Sequence, residues 1–265
     1  MTVKFKYTIN DIRNSINKLN INSGDNIYVS CNLANLGFPR IDNIDLLPEC
    51  FFKNFKKKIS SNGTIIVPTH SFFLKDTKRI FNTKSTPSES GAFSSYILKK
   101  KNSIRQLHPL ASVTALGKNS KLFCNDNSKN AYGSKSPFSR MIKTNTKFIS
   151  IGIKYNLNCT QIHHLEQINN VPYRFFKEFK QNIKVSNKIK QELFYMYVLR
   201  KKFLNFKRDR NKLIFSNFKK FSKVQKIKLG ADFIYLYDLT LFSQVTSKLI
   251  KKNKYCWLGK KNASI

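Results

Sequence analysis

The chain has 265 residues, of which 41% are hydrophobic and 24% charged, so it is long enough to bury a sizeable core, and general disorder is excluded. The 49 Lys and Arg residues stand against 14 Asp and Glu residues, which gives a formal net charge of +35. A positive field of this size attracts phosphates and repels polycations.

Apolar spacing predicts alternating helices and strands over the first two thirds of the chain. The predicted elements are a helix around residues 12–19, a strand over 27–33, a helix over 46–59, a strand over 64–67, a helix over 91–100, a strand over 113–116, a helix from 136, a strand over 147–153 and a helix from 160. We expect Asp45 to cap the second helix and Pro48 to lie in its first turn. This alternation predicts an α/β fold with helices on a central sheet.

The sequence changes character between residues 175 and 228, where Lys and Phe dominate and Gly and Pro are absent. Within this segment, residues 194–199 fit a strand and residues 213–221 fit a helix. Two short strands around Gly230 and a helix over 240–251 then close the chain. No internal repeat or linker interrupts it, so we expect one domain over residues 1–265.

The first candidate site is Thr-Gln-Ile-His-His-Leu-Glu at residues 160–166, directly after a predicted strand. If this segment is helical, His163 and Glu166 share one face. A carboxylate at that distance can orient an imidazole and raise its basicity, which a general base near neutral pH needs. Judged on these residues alone, an ordinary ion pair at a helix start or a sparse zinc site also stays open.

The second candidate site is Arg-Gln-Leu-His-Pro-Leu-Ala-Ser at residues 105–112. Pro109 pushes His108 into an extended conformation, which indicates either a site residue in a loop or an ordinary loop histidine. The chain has no Gly-x-Ser-x-Gly, no phosphate loop and no Gly-x-Gly-x-x-Gly. Nucleotide hydrolysis and dinucleotide redox chemistry are therefore not indicated.

Cysteine usage indicates a reducing compartment. The cysteines are Cys31, Cys50, Cys124, Cys159 and Cys256. Their odd number and long spacings favour free thiols in a cytoplasmic protein over a disulfide framework or a zinc site, and we expect no bound metal. The N-terminal residues lack the apolar core of a signal peptide, and no apolar run approaches the ~18 residues that span a bilayer.

Six blocks, in order, resemble the motifs of the aminoglycoside 3-N-acetyltransferase family, also called antibiotic N-acetyltransferases. They are residues 24–33 with Leu-Gly at 36–37, Gly-Thr-Ile-Ile-Val-Pro-Thr at 63–69, residues 86–93, residues 105–117, Ser-Pro-Phe at 136–138 and residues 160–166. The chain departs from the family's Val-His-Ser-Ser-Leu at residues 29–33, where it reads Val-Ser-Cys-Asn-Leu.

The resemblance implies a three-layer α/β/α sandwich with a central mixed sheet, distinct from the GNAT fold. It also implies direct acetyl transfer from acetyl-CoA to an amine. His163 would be the general base, Glu166 its partner, and His108 would lie near the acceptor or the leaving thiolate. The residues implied at CoA are Cys31, Asn32, Leu33, Gly37, Ser88, Gly91 and Ser112. The helix that starts near Gly91 would offer free N–H groups to phosphate.

The acceptor implied by the resemblance is a small-molecule amine on an amino sugar. Because the net charge of +35 opposes a polycationic aminoglycoside, the alternative is a nucleotide-linked amino sugar of surface polysaccharide synthesis. A family member that has lost CoA binding stays open, as does a homodimer.

A nucleic-acid-binding protein is the alternative from another class. It would need a basic face interleaved with aromatic side chains, such as Phe203, Phe206, Phe215 and Phe218. The basic residues are spread along the chain without any run of five, which favours genome composition as their origin. We therefore expect no nucleic-acid partner.

Overall fold

The structure, a computed structural model, describes residues 6–125, 128–153, 160–206, 212–221 and 223–258. The strands within these residues are β1 (Tyr7–Thr8), β2 (Asn26–Cys31), β3 (Pro39–Arg40), β4 (Thr64–Pro68), β5 (Ile80–Phe81), β6 (Ile104–Arg105), β7 (Val113–Gly117), β8 (Lys147–Ile151), β9 (Arg174–Val185), β10 (Lys188–Leu199), β11 (Gln225–Leu229) and β12 (Asp232–Asp238). The helices are α1 (Ile9–Asn17), α2 (Leu47–Ile59), α3 (Ala92–Leu98), α4 (Ser120–Cys124), α5 (Pro137–Lys143), α6 (Gln161–Ile168), α7 (Lys212–Phe221) and α8 (Leu239–Lys252).

The central sheet has the strand order β11-β12-β8-β2-β4-β7-β6. Strands β8, β2 and β4 are parallel, and the strands that flank them on both sides pair antiparallel. The sheet is therefore mixed, as the resemblance implies. The three parallel strands bring their carboxyl ends, at Cys31, Pro68 and Ile151, to one edge. Ligands of α/β proteins bind beyond such an edge.

Side chains of the central strands alternate between two faces, and each face carries its own apolar core. Ile27 and Val29 of β2 pack with the core residues of α1, α2 and α3, whereas Tyr28 packs with those of α4 to α8. Helices thus cover both faces and give the three-layer α/β/α sandwich that the resemblance implies. Each fully buried large apolar side chain contributes about 1.5–3 kcal/mol to this packing.

The start of α2 differs from the prediction. Asp45 does not cap the helix; instead it lies in a short 3-10 helix, Ile44–Leu46, which precedes α2. The side chain of Asn43 accepts from the backbone N–H of Asp45 and caps this 3-10 helix. The capping side chain therefore lies earlier in the chain than apolar spacing suggests. The spacing did not show this, because the 3-10 helix continues the apolar pattern of α2. Pro48 lies in the first turn of α2, as predicted.

The Lys/Phe-rich segment forms a long hairpin and the helix α7. Strands β9 and β10 pair antiparallel along their whole length, and β5 joins β9 as a third, parallel strand. Their inward side chains, including Phe179 and Phe194, form a third apolar cluster. Phe215 and Phe218 of α7 are buried in the core of the central sheet. These two rings cannot stack on nucleic-acid bases, which removes half of the aromatic set that the nucleic-acid alternative needs.

Two further properties concern the described residues as a whole. Cys31, Cys50, Cys124 and Cys256 are free of disulfide bonds, whereas the thiol expected at Cys159 lies outside the described residues. Within the described ranges, none of the helices has the length and apolar character needed to cross a bilayer.

Candidate active site

A cavity of about 700 Å³ opens where the parallel strands of the central sheet end. Its walls come from the segment that follows β2, the end of β4, the loop before α3 and the start of α6. Trp257, near the C-terminal end of the described chain, also lines it. The volume lies in the range of small-molecule sites, which is about 300–1,000 Å³.

Close backbone packing holds the wall between β2 and β8. Gly152 has φ of +62°, a left-handed conformation, and a Cβ at this position would lie 2.2 Å from the carbonyl oxygen of Asn32. Only glycine therefore permits this approach. The Asn35 side chain donates to the carbonyl of Gly152 at 2.7 Å and fastens the two segments. This wall is fixed by backbone contacts, so it is largely independent of the side chains it carries.

The pair His163 and Glu166 lies on α6 at the cavity wall. The Nδ1 atom of His163 and the Oε2 atom of Glu166 are 2.9 Å apart, so the i,i+3 spacing places both on one face as predicted. The His163 side chain is 30% exposed and lines the cavity, whereas Glu166 is fully buried behind it. A carboxylate only accepts hydrogen bonds, so His163 holds its proton on Nδ1 and has its lone pair on Nε2.

Both oxygens of Glu166 are occupied within the protein. The Tyr173 hydroxyl donates to Oε1 at 2.8 Å, and Nε of Arg174 lies 2.7 Å from Oε2. Burial pushes the pKa of Glu166 upward, but the hydrogen bond from His163 and the charge of Arg174 outweigh it and lower that pKa. Glu166 is therefore a carboxylate at neutral pH. It stabilises positive charge on His163, which is what an imidazole needs in order to accept a proton.

Sequence reasoning missed Tyr173 and Arg174. They follow α6 in the turn Asn-Asn-Val-Pro-Tyr-Arg at residues 169–174, where no motif singles them out. Their role depends on the chain folding back against α6. The one sequence signal for this contact is a tyrosine and an arginine separated by a short loop from a buried glutamate. That pattern is too common to be diagnostic.

The sequence profile described as "Aminoglycoside 3-N-acetyltransferase" matches residues 34–251, which is most of the chain. The chain belongs to the aminoglycoside 3-N-acetyltransferase family. This membership supports N-acetyltransferase activity. No curated protein shows significant sequence similarity to the chain.

Solved structures of aminoglycoside acetyltransferases share the fold. The chain is similar to the aminoglycoside acetyltransferase AAC(3)-Xa, with a TM-score of 0.79 over 95% of this chain and 94% of that one, at 16% identity. The YokD protein from Bacillus subtilis gives a TM-score of 0.78 over 95% and 96% of the two chains, at 18% identity. AAC-IIIb in a binary complex with CoASH gives 0.76 over 98% and 100%, at 16% identity. At these identities the likeness establishes the fold.

In this family member, His70 is a cavity residue that sequence reasoning did not single out. It follows β4, and its partly exposed ring lines the same cavity as His163. Burial, and then the nearby charges of His163 and His108, lower the pKa of His70 to about 4. Its position just after a strand's carboxyl end is the signal that could have found it.

His108 lies in the loop after β6, outside the wall of the cavity. Its ring is fully buried, packs against Phe194 and does not line the cavity. Nδ1 accepts from the backbone N–H of Ala111 at 3.1 Å, and Nε2 lies 3.4 Å from the carbonyl oxygen of Tyr195. Burial lowers the pKa of His108 to about 4. The long hairpin covers this loop, so the ring does not line the cavity, and a role of His108 near the acceptor or the thiolate stays a prediction.

The residues implied at CoA divide into two groups. Those that line the cavity are Cys31, Asn32, Leu33 and Gly91. The other three do not line it: Gly37 ends the 3-10 helix Leu33–Leu36, and the Ser88 hydroxyl accepts from the N–H of Ser90. Ser112 is fully buried and donates to the carbonyl of Thr69. A contact of these three residues with CoA stays a prediction.

Metal ligands do not gather in this site. Across the part of the chain that the structure describes, no three His, Cys, Asp or Glu side chains come together as a metal site requires.

Proposed function

We propose that this chain is an acetyl-CoA-dependent N-acetyltransferase that acetylates an amino group of an amino sugar. The observation that carries the proposal is the hydrogen-bonded pair of His163 and Glu166 at the wall of the cavity. In this proposal His163 is the general base and Glu166 orients it. Family membership and the CoA complex of the similar AAC-IIIb structure support acetyl-CoA as the donor.

The chemistry follows from the pair. When bound, acetyl-CoA supplies an activated acetyl thioester. An amine attacks its carbonyl carbon only when neutral, so Nε2 of His163 takes a proton from the amine as the C–N bond forms. The charge that appears on His163 is stabilised by the Glu166 carboxylate. The C–S bond then breaks, its electron pair leaves on sulfur, and the proton passes through His163 to give the free thiol.

The cavity would receive the thioester arm of CoA. Gly91 lines it without a side chain, in a backbone conformation with φ of +92° that favours glycine. Asn32, Leu33 and Gly91 would hold the arm there. These contacts do not need the His-Ser-Ser side chains of the family motif, which this chain lacks.

The charge of the site favours a second acceptor class, a nucleotide-linked amino sugar. Among the residues described along the cavity wall, Glu89 is the one carboxylate, and its Oε2 accepts from the N–H of Phe73 at 3.1 Å. A polycationic acceptor would meet this single engaged carboxylate in a protein of net charge +35. An acceptor that carries phosphate would be drawn to the same field.

A thiol-release assay tests the proposal. Purified protein is supplied with acetyl-CoA and a panel of aminoglycosides and nucleotide-linked amino sugars. We expect His163→Ala to lower turnover about 10²- to 10⁴-fold, the typical contribution of a positioned base. Ile168→Ala, on the exposed surface of the same helix, is the matched control and should retain turnover. Wild-type protein that turns over no amine and binds no CoA would overturn the proposal.

A further inference from the structure

The ring of His70 lies 5.1 Å from that of Phe72, and main-chain hydrogen bonds hold the residue in place. The backbone N–H of His70 donates to the Ser90 hydroxyl at 3.0 Å, and its carbonyl accepts from the N–H of Glu89 at 2.8 Å. The main chain therefore fixes the residue to the loop before α3. Among the described residues, the Nε2 atom of its ring has no hydrogen-bond partner and is shielded from solvent, so Nδ1 is the ring nitrogen that can meet a ligand in the cavity. A buried polar atom without a partner is costly and calls for an explanation.

A buried cation clamps the chain on both sides of His70. The guanidinium of Arg105 donates to the carbonyl of Thr69 at 2.5 Å and to the hydroxyl of Ser71 at 2.7 Å, the residues directly before and after it. It also donates to the Ser112 hydroxyl and to the Thr86 carbonyl.

Arg105 has no carboxylate partner among the described residues, and burial lowers its pKa to about 10. A buried charge without a counter-ion is expensive, so hydrogen bonds must offset its desolvation. These hydrogen bonds fix the backbone that carries His70. Arg105 is accordingly a positioning residue for that side chain.

Burial keeps the ring of His70 neutral, and its basic neighbours act in the same direction. His163 on α6, His108 after β6 and Arg105 on β6 all lower its pKa, after burial, to about 4. At neutral pH the ring therefore has one N–H donor and one lone pair. With this pKa it is too weak a base to take a proton from an amine, but a neutral imidazole can act as an electrophilic donor in enzymes.

We propose that His70 is a second catalytic imidazole of this cavity, which donates a hydrogen bond to the acetyl carbonyl oxygen while His163 acts as the base. This inference rests on the proposed acetyl transfer. As the amine nitrogen bonds to the carbonyl carbon, the C=O electron pair moves onto oxygen, and the His70 N–H stabilises that charge without giving up its proton. When C=O re-forms, the C–S bond breaks and its electron pair leaves with sulfur.

Two substitutions separate a donor from a merely structural side chain. We expect His70→Ala to lower kcat about 10²- to 10³-fold, the usual loss for one such donor, with little change in the KM for acetyl-CoA. His70→Gln keeps an N–H donor and should recover at least about tenfold of that loss. Because His163 remains the base, the acid limb of the pH–rate profile should keep its midpoint in both variants. Unchanged unfolding midpoints would confirm that both variants fold.

A measurement on the wild-type protein needs no turnover. Imidazole ¹⁵N resonances of His70, assigned through His70→Gln, should shift on addition of acetonyl-CoA, a ketone analogue of the thioester, and the ring should stay neutral at about pH 6. Unshifted resonances, or full activity of His70→Ala beside an inactive His163→Ala, would overturn this inference alone. An inactive wild type would overturn the proposed function and this inference with it.

Discussion

Glu166→Gln is the substitution that separates the two tasks of the buried carboxylate. The amide keeps the shape of the side chain but removes the negative charge, which faces Arg174 and stabilises a protonated His163. The hydrogen bonds of His163 and Tyr173 and the charge of Arg174 converge on Glu166, and one neutral amide cannot serve all three. The variant therefore leaves a buried cation unpaired and the base without its orienting partner.

The cost to stability follows from burial. Glu166 is fully buried and Arg174 nearly so. Removal of one partner of a buried ion pair typically costs about 3–5 kcal/mol, a large share of the about 5–15 kcal/mol that stabilises a domain. The folded-state pKa of Glu166 lies below its unfolded value near 4.3. Wild type therefore has this stabilisation in full above about pH 4.3 and loses it as pH falls through the folded pKa, whereas the variant lacks this dependence.

The assays are urea unfolding and thiol release, run on Glu166→Gln and on the double variant Glu166→Gln/Arg174→Met. Removal of both charges is often close to neutral for stability, so the double variant should regain most of the lost free energy of unfolding. Its acetyl transfer should stay at least about 100-fold below wild type, because His163 still lacks its carboxylate. A Glu166→Gln variant that transfers acetyl groups within about threefold of wild type at neutral pH would refute the reasoning.

Two further predictions concern the cavity wall and the buried histidines. Gly152→Ala would place a methyl group 2.2 Å from the Asn32 carbonyl oxygen and so displace the cavity wall. CoA affinity, measured by calorimetry, should therefore fall at least about tenfold. The control Gly24→Ala, also at positive φ but with open space around it, should bind CoA as wild type does. His108 has a folded-state pKa of about 4, below its unfolded value near 6.5. Between those values the unfolded chain binds more protons at this residue, so His108 alone should lower stability on acidification by at most about 1.4 kcal/mol per pH unit. Urea unfolding of His108→Gln should therefore show a slope that is shallower by up to this amount; equal slopes would contradict the assignment.

Local sequence patterns predicted much of the fold and the pairing of His163 with Glu166. His163 and Glu166 are three residues apart on one short helix, so their contact needs no tertiary information beyond the helix itself. The alternation of short apolar strands with helical spacing likewise predicts an α/β fold with helices on a central sheet, and the family resemblance implies its three layers. Phe215 and Phe218 were open to two interpretations, because helical spacing fits a buried face and an aromatic binding face equally well.

The errors came from contacts between distant parts of the chain. The backbone rule for a residue before proline correctly indicated a loop at His108, but it could not give the burial of the ring, which depends on Phe194 far along the sequence. The first strand of the hairpin was missed because Gln181 occupies an inward position between Phe179 and Ile183 and interrupts the apolar period. The side-chain amide of Gln181 donates to the carbonyl of Leu74, on another segment.

Arg174 is both the first residue of β9 and the cation that neutralises Glu166. It also donates to the carbonyl of Tyr197 on β10, so the hairpin and the base share one anchor. Substitutions that weaken the pairing of β9 with β10 should therefore displace Arg174 from Glu166 and abolish activity, although they lie outside the cavity. A random screen for inactive variants should return positions along β9 and β10 as well as on α6, and these positions should group by their contact with Arg174, not by their distance from the cavity.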